Sequence, residues 1–139
     1  MNNSEFKLLY YKLKLKGLSI PKLYTTDMIR HHNRGIAGET RKHFMCKCIC
    51  SYMLYNARHA HFVEYEFPNK TVTDVFDSTD GVAIEFETTT SVKKEGLKLL
   101  RFRELISKKI IRDVIIIDIS KFPEDWIEIE SILRKKLGL

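Results

Sequence analysis

Three β-rich runs follow one another between residues 61 and 88, and turn signals separate them. Pro68-Asn69 divides the first from the second, and Asp77-Ser78-Thr79-Asp80-Gly81 divides the second from the third. Short runs joined by so few residues have room only for an antiparallel meander. In the first run, 61–67, Val63, Tyr65 and Phe67 alternate with Glu64 and Glu66, which puts the two acids on a solvated face, with Glu66 reaching the acidic site as the alternative. The second, 70–76, is rich in β-branched residues. In the third, 81–88, Ile84 and Phe86 point to the core while Glu85 and Glu87 project together from the other face.

Helical patterns flank the meander. Across 39–57, Phe44, Met45, Cys48, Ile49, Tyr52 and Met53 recur at helical spacing. A second helix is expected over 92–107, capped by Thr90 or Ser91. Residues 113–119 (DVIIIDI) form a continuous apolar run, read as a central strand. A final helix is expected to start at Pro123, with Glu124 and Asp125 in its first turn, Arg134, Lys135 and Lys136 in its last, and Gly138 beyond. Trp126 would anchor it to the sheet. Upstream, 6–13 reads as a helical stripe or, from the Lys12–Lys16 alternation, as a strand, and 26–33 as a short helix.

The order is helix, three strands, helix, strand, helix, an α/β domain with a mixed sheet. A chain of 139 residues supports one domain. Its core is expected at 38–119, with a basic N-terminal extension over 1–34 and a C-terminal helix over 120–139. No apolar run has the length of a membrane span, and lysines interrupt any signal-peptide pattern. Cys46, Cys48 and Cys50 lack the spacing of a disulfide framework or a zinc site. They read as buried thiols in a reducing, cytoplasmic setting, the host cytoplasm if the chain is viral.

Charge is unevenly spread. Residues 1–63 hold 11 bases and 3 acids (+8), residues 64–91 one base and seven acids (−6), and residues 92–139 12 bases and 8 acids (+4). Basic flanks attract a polyanion, and clustered carboxylates accept it only with a cation between. A hairpin returning through 77–81 brings Asp74 beside Glu85 and Glu87. Three oxygen-bearing side chains then converge, a donor set suited to Mg²⁺ or Mn²⁺. The alternative reading is a polar outer strand face. Asp77 and Asp80 read as turn residues. His59-x-His61 lacks a matching pair for zinc and reads as a phosphate contact or ordinary surface. Lys94, Lys98 and Arg101 share a helical face. With Arg30, Arg34, Arg41 and Lys42 they form either a phosphate track or a solvated face.

The pattern Asp74–x10–Glu85-Phe86-Glu87, inside an αβββαβ order, resembles the PD-(D/E)XK nuclease superfamily, which includes archaeal Holliday junction resolvases and many restriction endonucleases. The resemblance implies a restriction-endonuclease-like fold and a metal-dependent endonuclease that hydrolyses DNA, duplex or branched, through water. By it, Asp74 and Glu85 hold Mg²⁺ or Mn²⁺. Glu39, near the start of the first core helix, orients a water or a second metal. His43, one turn on, lines the same cleft. Glu87 stands where the family usually has Lys and takes over positioning of the water. Lys93, Lys94 and Lys98 are candidates for the displaced ammonium, Lys94 foremost by reach. Thr73 stands where the family often has Pro. A homodimer on DNA is implied, with RNA left open as a substrate. The missing Lys keeps open a second reading, a nucleic-acid-binding module without catalysis.

Overall fold

A computed structural model describes residues 41–88 and 96–139, the side chain of Leu97 apart. Glu39, Arg34, Lys94, Arg30 and Lys93 lie outside the described residues, as do the expected elements before residue 39 and the Thr90 or Ser91 cap. The elements are α1 (Arg41–Asn56), β1 (His61–Glu66), β2 (Val72–Asp77), β3 (Val82–Glu87), α2 (Gly96–Ser107), β4 (Asp113–Asp118) and α3 (Trp126–Leu137). They follow the order read from the sequence. Among the described residues no helix is long and apolar enough to cross a membrane.

The four strands form one sheet in the order β1-β2-β3-β4. The first three pair antiparallel and β4 joins β3 in parallel. A parallel partner requires a crossover, and α2 supplies it. One apolar cluster joins α1 and α3 to Val75, Val82, Ile84, Phe86, Ile117 and Ile119. A second joins α2, through Phe102 and Leu105, to Phe67, Ala83 and Ile111. The sheet is therefore covered by α1 and α3 on one face and by α2 on the other. Trp126 packs edge-on to Tyr52 of α1, at 6.1 Å between rings, and so ties α3 to this layer.

Three expectations need correction. The apolar run at 113–119 is not central. β4 ends the sheet among the described residues, and β3, with all six residues buried, is the enclosed strand. An apolar run records cover on both faces, and an end strand has that too. Ile115 and Ile117 pack under α1 and α3, Val114 under α2. Next, the last helix starts at Trp126 and not at Pro123. Asp125 is its N-cap and accepts from Glu128 N at 2.9 Å, while Gly138, at φ 69°, closes the C-terminus. Finally, Glu64 does not lie beside Glu66 on a solvated face. Its backbone is left-handed (φ 52°), and the ladder pairs the residues on either side of it but skips Glu64 itself. This reverses the alternation, so Phe62 and Tyr65 meet at 5.3 Å and Glu64 turns toward α1. Glu66 is exposed, as expected.

The β2–β3 ladder stops at Val75↔Ile84. Beyond it, side chains of β2 satisfy the backbone of β3. Thr73 Oγ1 donates to Ile84 O at 3.2 Å, and Phe86 N donates to Asp74 Oδ2 at 2.8 Å. Thr73 is fully buried, so removing its hydroxyl leaves an acceptor without compensation. Thr73→Val is expected to destabilise the fold by about 1–3 kcal/mol, measured by urea unfolding, and Thr73→Ser by less.

Candidate metal centre

The strand fork sets the geometry. Asp74 on β2 and Glu85 and Glu87 on β3 each present a carboxylate oxygen within 4.8 Å of the others. Opposite oxygen ligands of one hard divalent cation stand roughly 4–5 Å apart, so the spread suits a shared ion. Glu85 is 1% exposed. Its Oε2 accepts from Lys98 Nζ at 3.2 Å, whereas Oε1 is buried with no hydrogen-bond donor among the described residues. An ionised oxygen left this way is costly unless a proton or a cation joins it. The site thus passes a chemical test for a hard cation: an all-oxygen donor set with one buried oxygen unserved.

Both faces of the sheet contribute. From α1, His43 Nε2 lies 3.3 Å from Asp74 Oδ2, with its ring edge-on to Phe86. From α2, Lys98 Nζ reaches Glu85 and also lies 3.9 Å from Glu87 Oε1. Below, the buried Lys47 ammonium is 2.6 Å from Glu64 Oε1. Burial opposes ionisation of Asp74. The bond to His43, the His43 charge, the Phe86 N–H and Lys47 outweigh it and hold the carboxyl below its usual range. Glu85 moves the other way. Burial first, then the Asp74 charge, push its pKa up, against the pull of Lys98. Two neighbouring carboxyls driven apart in this way hold one negative charge and one proton until a cation replaces the proton.

The structure brings together Asp74, Glu85 and Glu87, and His43 lies beside Asp74. Lys98, read as part of a phosphate track or solvated face and as one candidate for the displaced ammonium, faces the carboxylates. Arg41 lies 3.9 Å from Glu124 and Lys42 Nζ donates to Ser120 O at 3.2 Å, so both meet groups near α3. Arg101 is exposed on α2. Two residues had no role in the sequence reading. Thr73 has no distinguishing spacing. Lys47 had a signal, a lone charge inside the apolar stretch Met45-Cys46-Lys47-Cys48-Ile49.

A second group, His59, Asp77 and Asp80, lies at the opposite end of the sheet. Here the turn explains the contacts. Asp77 Oδ1 accepts from Thr79 N and Asp80 N, and Oδ2 pairs with His59 Nδ1 at 2.8 Å, as its reading as a turn residue implies. That hydrogen bond holds the imidazolium above its usual range. An open cavity of about 530 Å³ between this turn and Arg112 contains no unserved buried polar atom among the described residues. Comparison with protein-family models, with curated proteins and with solved structures finds no match to the chain.

Glu85 makes the site pH-sensitive. Above its ordinary pKa of 4.5 it keeps a proton in the fold that it loses in the unfolded chain. Protons therefore favour the fold, and its metal-free contribution to stability falls as pH rises. Urea unfolding over roughly pH 5 to 8 should show this slope in the native chain and lose it in Glu85→Gln. Mn²⁺ affinity, read by calorimetry, should rise over the same range with release of a proton, and should collapse in Glu85→Gln.

Proposed function

We propose that the chain is a metal-dependent endonuclease of the PD-(D/E)XK type, with Glu87 in the place of the usual Lys, hydrolysing phosphodiester bonds in DNA. One observation carries this reading: three carboxylates converge at a strand fork around a buried oxygen without a donor, beside an ammonium from the next helix. The helix, antiparallel meander, crossover helix and parallel strand support a restriction-endonuclease-like architecture. Asp74 and Glu85 would hold Mg²⁺ or Mn²⁺, with Glu39 as a further candidate from the start of the helix. When bound, the cation supplies Lewis-acid polarisation of the phosphoryl oxygen and a more acidic water.

The chain's own groups do the rest. His43 and the Phe86 N–H orient Asp74. Glu87, at the end of β3, orients the attacking water and accepts its proton. Lys98 stabilises charge that builds on the phosphoryl oxygens, the part assigned from sequence to Lys94. Arg101, with Arg34, attracts the phosphate backbone, while Arg41 and Lys42 are engaged near α3. Two copies, one on each strand, would give a homodimer on DNA.

A second reading has one observation in its favour. Lys98 bridges Glu85 and Glu87, and an ammonium there already offsets the charge that a metal would. A nucleic-acid-binding module without catalysis would keep this arrangement.

Incubation with Mg²⁺ or Mn²⁺ and duplex, branched and single-stranded DNA separates the two. The enzyme predicts cleavage that falls at least about a hundredfold in Asp74→Asn or Glu85→Gln. Lys98→Met should lower kcat by roughly 10²–10³-fold while Mn²⁺ still binds. Tight, salt-sensitive DNA binding without cleavage under any metal would establish the module instead.

A further inference from the structure

Lys47 takes no part in the proposed reaction, yet it is as deeply buried as Glu85, at 1% exposure. It lies one turn beyond His43 on α1, on the side of the helix that meets Asp74. A buried ammonium must find an acceptor or lose its proton. Among the described residues it donates to Glu64 Oε1, at 2.6 Å.

Glu64 reaches it by an unusual route. It sits at φ 52° although it is neither glycine nor at a turn, and the β1–β2 ladder runs from His61↔Asp77 to Glu66↔Val72 around it. Left-handed backbone at a residue with a long side chain is strain that surrounding contacts must compensate. In this ladder Val63 faces Val75 and Tyr65 faces Thr73, so Glu64 stands opposite Asp74. Lys47 is hydrogen-bonded to Glu64, which stands opposite Asp74, and lies one turn beyond His43, which meets Asp74 at 3.3 Å, so its ammonium stands beside that carboxylate. Among the described residues the ammonium thus has two carboxylates nearby, one of them a proposed metal ligand. An ammonium on the Asp74 oxygens and a divalent cation on them exclude each other.

We propose that Glu64 is a positioning residue that anchors the Lys47 ammonium away from the Asp74 oxygens and so leaves them open to a divalent cation. The inference rests on the metal-centre reading above. It explains why a strained backbone is retained at this one position of β1. The pair sets where positive charge stands beneath the site, and the net charge of the pair itself is zero.

Mn²⁺ titration of the full chain, followed by electron paramagnetic resonance, tests it beside thermal melting. Glu64→Gln should weaken Mn²⁺ binding by about 10–100-fold, because Lys47 turns to Asp74. Adding Lys47→Met to Glu64→Gln removes the competitor and should restore native affinity. A pair that only ties α1 to β1 predicts otherwise: melting falls in both variants and affinity is not rescued. Native-like affinity in folded Glu64→Gln overturns the proposal, as does a double variant that binds about tenfold weaker than native or worse. Should Glu64→Gln not fold, the double variant decides by the same measure. A native chain that binds no Mn²⁺ removes the metal centre itself, an outcome distinct from loss of the Glu64 role alone.

Discussion

The Asp74 carboxylate takes the Phe86 N–H where the β2–β3 ladder ends, and the site is organised around that bond. In a continued ladder a backbone carbonyl would fill this place and Asp74 would lie on one face of the sheet. At the fork, Asp74 and Thr73 serve β3 with side chains instead. The strands part there, and groups from opposite faces meet through the gap. His43 enters from the α1 layer, and Glu85 with Lys98 from the α2 layer. A fork without these two side chains would strand Ile84 O and Phe86 N in the interior, so the backbone opening and the acidic cluster depend on each other.

The charge pattern has a narrower meaning than its totals imply. The acidic block from 64 to 91 meets its counter-charges inside the fold. Glu64 pairs with Lys47, Asp74 with His43, Glu85 and Glu87 with Lys98, and Asp77 with His59. Lys98, one of the bases that suggested a phosphate-binding surface, therefore acts as an internal counter-ion, and Arg41 and Lys42 are engaged at the surface near α3. Under the proposed reading, polyanion attraction falls to those that remain exposed, Arg101 among them.

Element order, the meander and the approach of Asp74 to Glu85 were legible because they follow from local signals: periodicity, turn residues and a short hairpin return. What was misread depends on long-range relations. The DVIIIDI run shows that both faces are covered, which is silent on whether another strand lies beside it. Glu64 obeys alternation in sequence and breaks it in space, because one left-handed residue reverses the pleat. Pro123 looked like a helix start until Asp125 took the capping bond to Glu128. Lys94 and Lys98 are four residues apart in the sequence, and that spacing alone does not rank them. The position of α2 against β3 brings Lys98 onto Glu85, and only the assembled sheet sets that distance.

The three thiols of α1 have a consequence beyond packing. Cys46, Cys48 and Cys50 are all buried, in a helix enclosed along Phe44–Ser51. Burial pushes the Cys46 thiol up to about 12 and raises Cys50 as well. Such thiols are inert to alkylating and oxidising reagents until the helix leaves the sheet. They form a natural clock within the molecule: the pace at which a thiol reagent consumes them records how often the α1 layer comes undone.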